Sequence, residues 1–158
     1  PGGGNAVGTI LVSMATHLED PAERLRAIIA SSRAAKAQLE GMSSSAIMQY
    51  SSLLMAPFGA QAALAYMGVR APIPLAFNLI ISNVRGSNEP QSLDGARVEA
   101  VYPVSIPTHG TALNITVQSH VENLNFGFVG CQDTVPSLQK LAVFTGQEMQ
   151  ALQQEAGS

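Results

Sequence analysis

Cysteine occurs once in the 158 residues, as Cys131, which excludes an intrachain disulfide and any cysteine-based metal cluster. Nothing therefore points to an oxidising compartment, and cytoplasmic residence is expected. Charge is equally scarce: Asp, Glu, Lys and Arg make up 12%, with 8 Lys+Arg against 11 Asp+Glu and a net charge of −3. The basic residues form no stripe interleaved with aromatics, as a phosphate backbone would need, so nucleic acid is not an expected partner. Long apolar runs are missing too. The longest, Leu53 to Val69, is broken by Pro57, Gly59 and Gln61 and falls short of the roughly 20 residues of a membrane span. The start, Pro1-Gly2-Gly3-Gly4, has neither the charged nor the apolar region of a signal peptide and reads as a cut or processed end.

Histidine is sparse and dispersed. His17, His109 and His120 make no i, i+4 pair, so no metal site is expected, and the simple reading is a strand-end, a loop and a strand-face residue. His109 beside Gly110 has a second reading, as part of a substrate channel. No Gly-x-Ser-x-Gly elbow, phosphate-binding loop or nucleotide fingerprint occurs. Cys131 has no Lys, Arg or His nearby in sequence to lower its pKa, which predicts a buried, inert thiol.

What is present is enough apolar residue, 46%, to bury a core, in a length that suits one domain or half of a two-lobed enzyme. Ala6 to His17 lacks helical period and predicts a strand buried on both faces. Asp20-Pro21-Ala22-Glu23 has the form of a helix start, and Leu25, Ile28, Ile29, Ser32 and Leu39 keep a 3.6-residue stripe up to Gly41. The spacing predicts a helix over Pro21–Glu40. Ser43 to Met67 predicts one or two helices divided near Pro57-Phe58-Gly59, serving either as core or as a surface against something greasy.

Ala71-Pro72-Ile73-Pro74 predicts an extended linker into a buried strand, Leu75–Val84, followed by a turn at Arg85–Gln91. Alternation predicts half-exposed strands at Val98–Val104 and around Leu113, Ile115 and Val117. A hairpin at Glu122-Asn123 leads to Leu124–Val129, with Leu124, Phe126 and Phe128 on one face, leaving Glu122 and Asp133 at opposite ends of that strand. Leu138, Leu141, Thr145, Met149 and Leu152 predict a last helix, with Gly146 inside it and a frayed tail after Gln154. The order fits an α/β or α+β layer architecture, a mixed sheet covered by helices.

One polar cluster stands at the end of a greasy strand: Ser82-Asn83-Val84-Arg85-Gly86-Ser87-Asn88. It reads either as a well-bonded turn or as a set of donors placed to hold a carbonyl or oxyanion.

Gly4-Asn5, Asp20-Pro21 through Arg24-Leu25, Ser82-Asn83-Val84-x-Gly86, Leu93-x-Gly95-Ala96-Arg97-Val98, Tyr102-Pro103, Gly110-x-x-Leu113-Asn114-Ile115-Thr116 and Asp133-x-x-Pro136 follow one another in order. Together they resemble the C-terminal half of the bacterial wax ester synthase/acyl-CoA:diacylglycerol O-acyltransferase family, across nearly the whole chain. The resemblance implies one lobe of the CoA-dependent acyltransferase fold, spanning residues 5–154, with 1–4 a flexible linker remnant and 155–158 a tail. It also implies a tunnel that brings acyl-CoA, as co-substrate, and diacylglycerol or a fatty alcohol to a histidine. That histidine belongs to a His-His-x-x-x-Asp-Gly motif of an N-terminal lobe, the implied partner, and no adjacent His pair occurs here. The chain alone is therefore expected to be inactive, with no metal and no permanently bound cofactor.

By the same resemblance, Ser82 and Asn83 lie near the thioester, Arg85, Gly86 and Asn114 border the tunnel or the CoA arm, and the Ser43–Met67 segment forms a tunnel wall or rests on lipid. Peripheral contact with membranes or lipid droplets follows from water-insoluble substrates. Arg85 stands where the family usually has proline, and His120 where a tyrosine often follows Ser119. Two rivals remain: a stand-alone, non-catalytic lipid- or protein-binding module of the same fold, and a condensation-type enzyme that uses a carrier protein.

Overall fold

The computed structural model describes residues 8–69, 73–108 and 110–156. The expected linker remnant 1–4, part of the Ala71–Pro74 linker and His109 lie outside them. The chain divides into two compact units, residues 1–76 and 77–158.

The first unit holds two helices, α1 (Pro21–Glu40) and α2 (Ser44–Tyr66). Asp20 caps α1 by accepting from the Glu23 N–H at 2.7 Å, Pro21 occupies the first turn where no donor is needed, and Gly41 ends the helix. Arg24 turns its guanidinium back onto the preceding loop, donating to the Leu18 carbonyl at 2.9 and 2.8 Å and to that of Glu19 at 3.1 Å. This helix has the predicted bounds. The predicted strand before it does not form among the described residues. Instead the segment lies along both helices, with the Thr9 N–H on Ser51 Oγ of α2 and the Ser13 N–H on Ser31 Oγ of α1. No partner strand is present among the described residues of this unit, and serine hydroxyls take up these backbone donors.

The second helix runs unbroken through Pro57, against the predicted division there. Buried Phe58 and half-buried Ile47, Tyr50, Leu54, Gln61 and Leu64 recur at helical spacing, and that packing carries the helix past the proline. The bond sacrificed is the one to the carbonyl of Leu53, whose side chain is exposed.

The second unit is built on a mixed sheet of β1 (Leu79–Val84), β4 (Leu113–His120) and β5 (Asn123–Gly130), in the order β1-β4-β5. β1 runs parallel to β4, with Leu79 beside Leu113 and Ser82 beside Thr116, and β4 pairs antiparallel with β5. A small hairpin of β2 (Ser92–Leu93) and β3 (Ala96–Arg97) turns at Asp94-Gly95, both at positive φ, as a tight two-residue turn requires. Helix α3 (Leu138–Ala156) extends two residues beyond the predicted tail boundary.

Side chains alternate across this sheet. One face carries Ile81, Ile115, Val117, Phe126 and Phe128, the two rings stacked with centroids 6.2 Å apart. α3 covers this face through Leu138, whose methyl lies 3.2 Å from where a Cβ on Gly130 would stand. The predicted strand Val98–Val104 is corrected: Ala96–Arg97 pairs, the Val98 N–H continues that hairpin by donating to the Gln91 carbonyl at 2.8 Å, and residues 99–107 form a strap without backbone–backbone bonds among the described residues, over the other face. Pro103 and Pro107 withhold the N–H groups that a central strand needs.

Candidate functional site

The face beneath the strap is polar. Asn114, Thr116, Gln118 and His120 project from β4, flanked by Ser82 of β1 and by Asn125 and Gly127 of β5. Their burial requires partners. Thr116 Oγ1 lies 2.6 Å from Ser105 Oγ of the strap and 3.3 Å from Asn114 Oδ1, and His120 Nε2 lies 3.1 Å from the Val98 carbonyl. Gly127 lets the strap approach, because a Cβ there would overlap the Pro103 carbonyl oxygen. Asn125 Nδ2 has no hydrogen-bond partner among the described residues. The layer thus seals strap to sheet through side-chain polar groups rather than through a ladder.

Ser82 and Asn83, expected together at a thioester, project to opposite faces of the sheet. Ser82 is half-buried beside Thr116, and Asn83 is exposed on the face of Val117 and Phe126. Asn114 shares the face of Ser82, one step nearer the start of β1. Arg85 is exposed just past the end of β1. Gly86 donates its N–H to Ser119 Oγ at 3.0 Å, and a Cβ there would overlap the Ser119 carbonyl. The Ser87 carbonyl accepts from the Val121 N–H at 2.8 Å, so the polar turn is fastened to the β4 end of the hairpin.

At the opposite end of β4 an open cleft of about 400 Å³ is lined by Pro107, Thr108, Gly110, Thr111, Ala112, Cys131 and Thr134. Thr111 is buried and closes a tight turn, its hydroxyl donating to the Thr108 carbonyl at 2.9 Å. Cys131 is exposed, not buried as expected. The Thr134 hydroxyl and the backbone N–H groups of Asp133 and Thr134 hold its thiol below the ordinary value, opposed by desolvation and by the Asp133 carboxylate. Donors of its own turn, rather than a cationic neighbour, do this.

The family model described as the WS/DGAT C-terminal domain matches residues 3–153. The chain belongs to that family. It is 54% identical over 151 residues to a Mycobacterium tuberculosis protein named as a diacylglycerol O-acyltransferase, covering 96% of this chain and 30% of the relative. Against the O-acyltransferase WSD of Acinetobacter baylyi the identity is 38% over 146 residues, 92% of this chain and 31% of the relative. The solved structure of the wax ester synthase/diacylglycerol acyltransferase from Marinobacter aquaeolei VT8 superposes with a TM-score of 0.81 at 34% identity, over 96% of this chain and 36% of that one. The mixed α+β architecture of this WS/DGAT C-terminal domain is that of the CoA-dependent acyltransferase fold. The domain spans about a third of the length of the relatives it matches.

Among the predicted site residues, the domain gathers Ser82 and Asn114 on one sheet face, sets Arg85 and Gly86 at one end of β4, and turns Asn83 away. The sequence reading missed the sealed layer of Ser105, Thr116, His120 and Asn125. Its signal was present: Asn114, Thr116, Gln118 and His120 alternate strictly, and a proline-containing, nearly uncharged segment precedes them to cover that face.

Proposed function

We propose that the chain is the C-terminal part of an acyl-CoA-dependent O-acyltransferase that esterifies diacylglycerol or a long-chain alcohol, giving triacylglycerol or wax ester. The observation that carries this reading is the continuous match over residues 3–153, with 54% identity to a relative named as a diacylglycerol O-acyltransferase. A histidine of the preceding part takes the proton of the alcohol, the alkoxide oxygen attacks the thioester carbonyl, and CoA leaves as the thiol, with no acyl-enzyme. General-base assistance of this kind typically contributes 10²–10⁴-fold, and no adjacent His pair in this chain replaces it. The present chain then supplies walls and hydrogen-bond donors to a site completed by the preceding part.

Asn83, exposed at the end of a rigid strand, is the better placed of the two adjacent polar residues to meet a substrate carbonyl. Ser82 faces the strap side and is half-buried there. Arg85, exposed and basic, suits a CoA phosphate. Peripheral contact with lipid is supported by the outer face of α2, which carries no charge and exposes Met48 and Leu53 around an open depression of about 670 Å³. No helix among the described residues is long and apolar enough to cross a membrane.

The test is acyl transfer by the full-length polypeptide, with oleoyl-CoA supplied together with dioleoylglycerol or hexadecanol, and release of free CoA followed. Ester formation that requires the CoA thioester and is absent with residues 1–158 alone is the expected result. Dependence on an acyl-carrier protein, with no reaction from acyl-CoA, would overturn it.

A further inference from the structure

Residues 88–97 are exposed throughout, and the β2–β3 hairpin within them is a sheet of its own, held in register by Ser92 opposite Arg97 and Leu93 opposite Ala96. The Val98 N–H adds its bond to the Gln91 carbonyl at 2.8 Å. An isolated two-stranded hairpin is marginal in water, so this one opens at little cost. At its tip stands Asp94-Gly95, and Asp94 is the only Asp or Asn of the sequence that precedes a glycine.

Two groups at this tip are chemically free. Among the described residues the Asp94 carboxyl has neither a hydrogen bond nor an ion pair, and the Gly95 N–H has no acceptor. Gly95 brings no side chain to shield its nitrogen, and nothing lies within 4 Å of where a Cβ would stand. The nitrogen is thus open to the carboxyl of the residue before it. The other aspartates differ. Asp20 holds the Glu23 N–H at 2.7 Å and precedes a proline, which has no N–H to lose, and Asp133 precedes the β-branched Thr134.

We propose that Asp94-Gly95 is a site of spontaneous isoaspartate formation in the folded protein. The Gly95 nitrogen bonds to Cγ of the Asp94 carboxyl in its acid form, and the amide hydrogen and the carboxyl hydroxyl leave together as water. The product is a five-membered succinimide. Water then adds at the main-chain carbonyl of Asp94, the bond from that carbon to the Gly95 nitrogen breaks, and the chain continues through Cβ and Cγ beside a free α-carboxylate. One water leaves and one enters, and nothing is oxidised or reduced. The turn gains a main-chain atom, which breaks the register of Leu93 with Ala96 and releases the Val98 N–H from Gln91. The new α-carboxylate makes the turn a substrate for the class of enzymes that methylate isoaspartyl carboxyls from S-adenosylmethionine.

The experiment holds the full-length polypeptide at physiological temperature for several weeks in water enriched in heavy oxygen. Trypsin then releases residues 86–97, between the cleavage points after Arg85 and Arg97. A second chromatographic form of that peptide is expected, carrying one heavy oxygen and accepting a methyl group from an isoaspartyl carboxyl methyltransferase. The peptides that hold Asp20 and Asp133 are expected to gain neither. Absence of the second form, or a form without heavy oxygen, would overturn the proposal. A synthetic peptide of residues 86–97 is the open reference: the folded protein is expected to convert within about 10-fold of its rate, and slower conversion would show that the hairpin protects the site. Asp94→Glu keeps the charge but needs a six-membered ring, and it should lower conversion at least 10-fold. An undiminished rate would place the change at another residue. In the aged protein the Val98 amide is expected to exchange hydrogen about 10-fold faster than in fresh protein, and equal rates would overturn the loss of register.

Discussion

Val121 holds a β-branched side chain at φ 54°, the first position of the turn joining β4 to β5. Such a residue pays on the order of 1–2 kcal/mol in the left-handed region, where glycine sits freely. Val121→Gly should therefore raise stability by about 1 kcal/mol, read as a higher urea midpoint at unchanged slope. Asn83 and Ser82 separate by the same local logic, since neighbours on a strand cannot face one carbonyl. Asn83→Ala in the full-length enzyme should lower kcat about 10-fold, or roughly 1.4 kcal/mol of barrier, while Ser82→Ala leaves kcat within twofold. Equal losses would return both to a turn-forming role. The lowered thiol of Cys131 gives a third outcome: its alkylation by iodoacetamide should reach half-maximal rate below the ordinary thiol range near pH 8.5, because more thiolate exists at neutral pH. Thr134→Val should move that profile upward, and an unmoved profile would remove the hydroxyl from the explanation. The strain at Val121 and the lowered thiol of Cys131 were not legible in the sequence, because a positive φ and a donor from a following turn are set by how the chain closes.

Elements were legible where a local signal was complete. Asp20, Pro21 and Gly41 bound α1 without help from the rest of the chain, and the alternation of Leu113, Ile115 and Val117 marks β4. Failures came where pairing decides. Val98–Val104 alternates like a strand, but Pro103, Pro107 beyond it and the polar face below make a strap. The segment after Gly8 is as apolar as a strand, but among the described residues its Thr9 and Ser13 N–H groups bond serine hydroxyls instead of a partner strand. Asp94-Gly95 between Leu93 and Ala96 was a hairpin signal left unread, because strands of two residues carry no periodicity. Two glycines test the element scale in opposite directions. Gly127→Ala must displace the Pro103 carbonyl and should cost about 1–3 kcal/mol, whereas Gly146→Ala, in the middle of α3 with open space around it, should gain about 1 kcal/mol. Thermal unfolding of both variants in one buffer would show whether the strap is seated as described.

For the whole molecule, the exposed apolar side chains Tyr102, Val104 and Ile106, at 71%, 82% and 86% exposure, have a direct readout. Residues 1–158 prepared without the preceding part should self-associate, eluting on size exclusion with a light-scattering mass above 16.5 kDa. A monodisperse monomer would favour the stand-alone module. The partition into two units was not legible in the sequence, since the Pro-rich stretch near residue 72 reads equally as a linker inside one body.

The parallel pairing of β1 with β4 also sets an order of events during synthesis. β1 leaves the ribosome roughly 30 residues before its partner, which at about 5–20 residues per second keeps Leu79, Ile80 and Ile81 unpaired for roughly 2–6 s. The β4–β5 hairpin, joined by a two-residue turn, closes in about 1–10 μs once both strands are out. The nascent chain thus carries an apolar strand that must wait for its partner before the sheet can form.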